Sequence, residues 1–110
     1  MKRGSIYWVN LEPTQPPEFG KVRPALVISN SEHNLRLPTV VVIPISSQSP
    51  EIWPLRLGFK IPGTKSKESF AVIPGIRQVN KTRLMDMIGI VSPSFLKNID
   101  EALMTYLGED

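Results

Sequence analysis

The sequence predicts a mainly β fold with one C-terminal helix, and three observations carry that reading. Eleven prolines in 110 residues, about twice the usual ~5%, punctuate the chain at 13, 16, 17, 24, 38, 44, 50, 54, 62, 74 and 93. Between them lie short β-branched runs bounded by turn residues, the pattern of short strands with tight connections. Only the last stretch repeats its apolar residues at helical spacing.

The first strand is SIYWVNL (5 to 11), where Tyr7 and Trp8 alternate, one facing the core and the other a dimer or partner surface. PALVIS (24 to 29) is the second. Pro24 biases Arg23 toward extended backbone, and the apolar run after it reads as a buried strand. TVVVIPI (39 to 45) is the third. LRLGFKI (55 to 61) alternates, so one face is wet and carries Arg56 and Lys60. SFAVI (69 to 73) and DMIGIV (86 to 91) complete the strands.

NKTRL (80 to 84) predicts a single helical turn capped by Asn80. The stretch from Ser92 predicts the long helix: Ser92 caps, Pro93 suits the first position and Gly108 ends it. Phe95, Leu96, Ile99, Leu103, Tyr106 and Leu107 recur on its packed face, with Asp100 and Glu101 on the wet one.

Two long irregular segments remain, EPTQPPEFGK (12 to 21) and SSQSPEIWP (46 to 54). Long loops on a small barrel usually carry function. Each sets one large apolar side chain, Phe19 or Trp53, among polar ones, the composition of a surface that stacks on bases.

The length suits one domain over 1–110, and no internal repeat, linker or low-complexity tract divides it. With no cysteine, disulfide frameworks and thiolate metal sites are excluded, and a cytoplasmic address is the simplest reading. MKRGSIYWVN lacks the apolar run of a signal peptide. VVVIPI, the longest apolar tract, is far short of the ~20 residues of a membrane helix, so no membrane partner is expected.

Net charge is +3, and it is unevenly placed. Residues 54 to 83 hold Arg56, Lys60, Lys65, Lys67, Arg77, Lys81 and Arg83 against Glu68 alone. Residues 84 to 110 hold Lys97 against Asp86, Asp100, Glu101, Glu109 and Asp110. A basic middle and an acidic end suit a polyanion on one side, although small domains also show such asymmetry by chance.

The residue inventory narrows the chemistry. A two-metal nuclease needs clustered carboxylates, and the basic region has only Glu68. A zinc hydrolase needs several His, Cys or carboxylate ligands, and His33, more a solvated turn residue than an acid or base, is the sole histidine. No glycine-rich phosphate loop is present. An enzyme built from this chain works with Arg, Ser or Thr, and Glu, and no cofactor is expected. RNA makes that toolkit sufficient, because its 2′-OH is a nucleophile already tethered beside the scissile phosphate. The protein then has to stabilise charge on the phosphorane, which an arginine fork and a neighbouring hydroxyl can do.

RGSIYWVNLEPT, GKVRPALVISN, VVVIPISSQ and IRQVNKTRLMDMIG occur in an order that resembles the MazF/PemK (Kid-like) toxins over nearly the whole chain. The resemblance implies a small SH3-like β-barrel with a C-terminal helix, and a homodimer. It implies a metal-independent endoribonuclease that cuts single-stranded RNA to 2′,3′-cyclic phosphate and 5′-OH ends. It also implies an acidic antitoxin as protein partner.

Carried over by position, Arg23 matches the catalytic arginine of the RP motif. Ser46 stands where the family more often has threonine, with the hydroxyl kept and Ser47 as the alternative register. Glu18 matches the acid of the preceding loop, which orients that loop or helps the arginine. Gln48 falls on a base-contacting position, and Arg77 on a basic position that can touch a phosphate. Outside that carry-over, Ser47, Asn34, Phe19 and Trp53 complete the expected substrate contacts. The sequence departs from the family at Pro74-Gly75, where plasmid-borne relatives carry an acid, and at Asn80, where aspartate is usual.

Each residue has a plainer reading beside this one. Arg23 alone would be a solvated strand-end cation, Ser46 a hydroxyl bonded to backbone, and Glu18 a loop acid or Arg23's salt partner. Phe19 and Trp53 would be loop anchors, and the basic residues from Arg56 to Lys67 a diffuse phosphate-attracting face. Two other functions compete: a gyrase poison of the same shape, like CcdB, and an RNA-binding module that does not cut. The first depends on an apolar, tryptophan-bearing C-terminus, whereas this chain ends TYLGED.

Overall fold

The computed structural model describes residues 1–64 and 67–108; Lys65 of the basic stretch and Glu109 and Asp110 of the acidic end lie outside the described residues. Among the described residues seven strands form: β1 Ser5–Asn10, β2 Val22–Val27, β3 Thr39–Ser46, β4 Arg56–Phe59, β5 Ser69–Val72, β6 Arg77–Asn80 and β7 Leu84–Ile90. A short helix α1 (Ser31–Arg36) joins β2 to β3, and α2 (Pro93–Leu107) follows β7. The strands run β4-β5-β3-β2-β1-β7, with β6 also paired to β3. All pairings are antiparallel. The result is the expected mainly β fold with a C-terminal helix, a small barrel-like sheet whose ladder stays open between β4 and β7.

The unbroken apolar runs of β2 and β3 have a direct physical cause: both faces of these strands are covered. Leu26, Ile43 and Ile45 pack with Ile6 and with Ile99 and Ala102 of α2. Their neighbours Ala25, Val27, Val40 and Val42 pack on the other face with Val9, Leu11 and Val79. Tyr7 leans on this second cluster while Trp8 is exposed, so the β1 pair divides as its alternation predicts.

β3 changes neighbours partway along. Thr39 to Val42 pair with β6, and Ile45 and Ser46 pair with β5. Between those partners the chain makes a 3-10 turn at Ile73–Gly75. It stands opposite Pro44, which has no N–H to give to either.

Besides the 3-10 turn at Ile73–Gly75, which takes Ile73 out of the expected strand, two elements go beyond the sequence reading. β6 was not expected because RQVN is short and only Val79 reaches the core. α1 was not expected because it has six residues and no apolar face; Asn30 caps it by accepting from the Glu32 and His33 amides. The other caps form as read. Asn80 accepts from Thr82 N–H at the 3-10 turn Lys81–Arg83, and Ser92 accepts from Phe95 N–H at α2. On α2 the packed face is Phe95, Leu96, Ile99, Ala102 and Leu103. Tyr106 and Leu107, expected on that face, are exposed; the last residue of α2 to be buried is Ala102. Asp100 meets Arg3, whose Nε also donates to Ile28 O at 2.8 Å, tying the N-terminus to α2. Among the described residues no helix is long and apolar enough to cross a membrane.

Candidate active site

The site begins with a missing hydrogen bond. β2 and β3 share the rungs Val27↔Val42, Leu26↔Ile43 and Ala25↔Pro44. Ile28 N–H donates to Val41 O at 3.0 Å just beyond them. Hydrogen-bonded pairs alternate along an antiparallel ladder. After Ile28–Val41 and Leu26–Ile43, the next would be Pro24–Ile45, and Pro24 has no N–H. The ladder stops there and β3 turns to β5. Between the parted strands lies a cavity of about 360 Å³, lined by Lys21, Val22, Arg23, Pro24, Ile45, Ser46, Ser47 and Ser69.

Arg23 is half-buried at its rim. Its Nε donates to Gly20 O at 3.0 Å, and its Cζ lies 5.1 Å from the centre of the Phe19 ring, within cation–π range. Its Nη groups take no hydrogen bond among the described residues, so that half of the fork is free for an anion. Ser46 is 5% exposed. Its Oγ accepts from Gln48 N–H at 3.0 Å, and its own proton has no acceptor among the described residues. Arg23 and Ser46 thus bring a guanidinium edge and a hydroxyl donor to one cavity.

The loop before Arg23 is built on itself. Glu18 Oε1 accepts from Gln15 N–H at 2.9 Å, and Glu18 N–H returns to Gln15 O. Glu18 makes no ion pair with Arg23, although both line a cavity of about 290 Å³ with Glu12, Thr14, Pro16, Gly20 and Lys21. On the other side of Phe19 a cavity of about 430 Å³ holds Glu18, Pro74, Gly75 and Arg77. Arg77 Nη1 donates to Leu11 O at 3.0 Å. Phe19 therefore stands between Arg23 and the Pro74-Gly75 turn as a packed anchor of the loop.

The other expected contacts scatter. Ser47 is exposed on the first cavity; Gln48 follows it at the cavity's edge with its N–H on Ser46 Oγ, and Trp53, with 53% of its surface open, lies farther along the β3–β4 loop outside the lining. Arg56 Nη1 donates to Gln48 O at 2.9 Å and anchors that loop. Lys60 and Lys67 are exposed, and Arg56 is half-buried. Asn34 corrects an expectation. It is 1% exposed, donates to Met1 O and Ser29 O at 3.0 Å, and accepts from Ser29 Oγ at 2.6 Å. With its amide fully engaged in the fold, it has nothing to offer a substrate. Asn80 likewise has a local task, accepting from both the backbone and the hydroxyl of Thr82.

Sequence reasoning missed Ser69, Lys21 and Glu12. Ser69 reaches the cavity through the β3–β5 pairing, which sets Phe70 opposite Ser46 and which no local pattern announces. Lys21 has φ of 62°, a left-handed conformation uncommon for a residue with a side chain, and its place directly after Gly20 was the available signal. Among the described residues, no three of His, Cys, Asp and Glu gather to hold a metal ion.

Residues 2–107 match the family described as PemK-like, MazF-like toxin of type II toxin-antitoxin system. The chain is 34% identical over 115 residues to Endoribonuclease EndoA of Bacillus subtilis (strain 168), covering 97% of this chain and 94% of that protein. It is 32% identical over 113 residues to Endoribonuclease MazF9 of Mycobacterium tuberculosis (strain ATCC 25618 / H37Rv), covering 97% and 96%. A solved endoribonuclease in complex with its cognate antitoxin, from a mycobacterial species, superposes with a TM-score of 0.80 over 100% of this chain and 97% of that one. At 24% identity that likeness speaks for the fold.

Proposed function

This chain belongs to the PemK-like, MazF-like toxin family of type II toxin–antitoxin systems, and from that premise we propose that it is a metal-independent endoribonuclease that cuts single-stranded RNA at the Arg23–Ser46 cavity. The 2′-OH attacks the adjacent phosphorus, the O2′–P bond forms and the P–O5′ bond breaks. The products are a 2′,3′-cyclic phosphate and a 5′-OH; the proton released by the 2′-OH balances the one taken up by the 5′ oxygen. Arg23 presents its Nη donors to one non-bridging oxygen while Ser46 donates its hydroxyl proton to the other. The observation that carries this is the pairing of those two unengaged donors on one cavity.

The remaining residues hold substrate and scaffold. Glu18 keeps the turn of the β1–β2 loop, and Arg77 stands one cavity away to meet a neighbouring phosphate. Ser47 lies at the cavity, and Gln48, Phe19 and Trp53 lie on the flanking loops for base contacts. The basic middle of the chain draws RNA in, and an acidic antitoxin that covers the same face would oppose it. A homodimer is supported by Trp8, Met85, Met87 and Ile90, large apolar side chains left open on β1 and the edge strand β7. The proposed setting is the cytoplasm.

The test is incubation of the purified chain with a long single-stranded RNA in EDTA beside Arg23→Ala. Discrete cuts ending in cyclic phosphate, lost in the variant, are expected. Binding without cuts would replace this reading with an RNA-binding module, and arrested supercoiling with intact RNA would replace it with a gyrase poison.

A further inference from the structure

The β1–β2 loop contains a feature aimed at Arg23 from outside the cavity it serves. Glu12, at the start of the loop, reaches across to its end, where Oε1 accepts from Lys21 N–H at 2.6 Å. The Thr14 hydroxyl lies 3.4 Å from the same oxygen. Lys21 holds the left-handed backbone, with φ of 62°. A strained conformation of that kind persists only where its surroundings fix it. Two bonds hold it here: the Lys21 N–H donates to the Glu12 carboxylate, and the Lys21 carbonyl accepts from Leu11 N–H at 2.9 Å.

Gly20 explains why the reach is possible. A Cβ on Gly20 would collide with Glu12 Oε1 and the Thr14 hydroxyl. The carboxylate therefore lies in the space that a side chain at 20 would take. Gly20 is also the residue whose carbonyl accepts from Arg23 Nε at 3.0 Å. The chain of contacts is short: Glu12 sets the 20–21 turn, the turn aims one carbonyl, and that carbonyl aims the guanidinium.

We propose that Glu12 is a positioning residue for Arg23, acting through Lys21 N–H and the Gly20 carbonyl. This rests on the ribonuclease reading for its kinetic consequence, but not for its structural one. Without the carboxylate the 20–21 turn relaxes, Arg23 Nε loses its acceptor, and the Nη edge no longer stands at a fixed angle to Ser46. Misplacement by about an ångström typically slows a positioned reaction by ~10²-fold. RNA binding, spread over many cations, is left in place.

The experiment compares Glu12→Ala, Glu12→Gln, Gly20→Ala and the double variant Glu12→Ala/Gly20→Ala in RNA cutting and thermal melting. Glu12→Ala is expected to lower kcat by roughly ten- to a hundredfold with KM within about threefold. Glu12→Gln keeps an oxygen acceptor and is expected to restore most of the rate. Gly20→Ala expels the carboxylate and should match Glu12→Ala, and the double variant should be no slower than either alone. Wild-type kcat in Glu12→Ala, equal losses in the Gln and Ala variants, or losses that multiply would overturn the proposal while leaving the ribonuclease reading standing. A readout independent of cutting is the Arg23 Nε–H signal in a nitrogen–proton correlation spectrum. It is expected to be protected from exchange in the wild type and Glu12→Gln and unprotected in Glu12→Ala. Equal protection in all three would also overturn it, even where a variant melts early, because the spectrum is taken below the melt.

Discussion

Arg23 and Ser46 are register partners without a rung between them. Extended two residues past Ala25↔Pro44, the β2–β3 register sets Arg23 opposite Ser46. Pro24 removes the hydrogen bond that would have zipped the strands that far. The two side chains face the gap that results. An Arg-Pro step at the mouth of a strand thereby does two jobs, opening a cleft and placing a cation on its rim.

The hydroxyl of Ser46 is the second donor in that cleft. Ser46→Thr keeps the oxygen and is expected to retain cutting within about tenfold, since the added methyl enters a site that is 5% exposed. Ser46→Ala removes the donor and should slow single-turnover cutting by about 10²- to 10³-fold. Equal rates for the Ala and Thr variants would remove Ser46 from the reaction.

Asn34 belongs to stability. Its amide joins Met1 O, Ser29 O and Ser29 Oγ in a buried network. Asn34→Ala leaves those partners unsatisfied and should cost about 1–3 kcal/mol, read as a lower denaturant midpoint. Cutting by the variant well below its melt is expected to equal the wild type.

Asn80 caps the 3-10 turn that leads into β7. Aspartate caps equally well, so Asn80→Asp should leave the melting temperature unchanged, whereas Asn80→Ala should cost about 1 kcal/mol. Recovery of a lost activity by Asn80→Asp would show instead that position 80 takes part in the chemistry.

Gly75 has no room for the acid that plasmid-borne relatives carry near this point. A Cβ there would lie 2.9 and 3.0 Å from the Pro44 ring and 3.4 Å from the Phe19 ring. Gly75→Asp is therefore expected to destabilise by about 1–3 kcal/mol and to slow cutting, through Phe19 and the Arg23 it packs against. Faster cutting by that variant would contradict the packing argument.

Much of this was legible in the residues because burial left a periodic trace. β1, β3 and α2 emerged from apolar spacing, and the caps at Asn80 and Ser92 from side chains that compete for backbone amides. β2 begins at Val22, two residues earlier than read, because pairing with β1 carries Arg23 and Pro24 into the sheet despite the proline. α1 left no trace, since Leu35 and Leu37 point to solvent, and Asn34 was misread because a lone polar residue does not announce its burial. The Glu12–Lys21 bond and the entry of Ser69 into the cavity are products of tertiary closure, invisible to any local window.

The most direct measurement is a double-mutant cycle in EDTA: single-turnover cutting of one RNA by the wild type, Arg23→Ala, Ser46→Ala and the double variant. Two donors acting on one phosphorane should be non-additive, the double variant cutting no slower than the slower single. Wild-type speed in Arg23→Ala, or two losses that simply multiply, would mean that the pair does not share a phosphate.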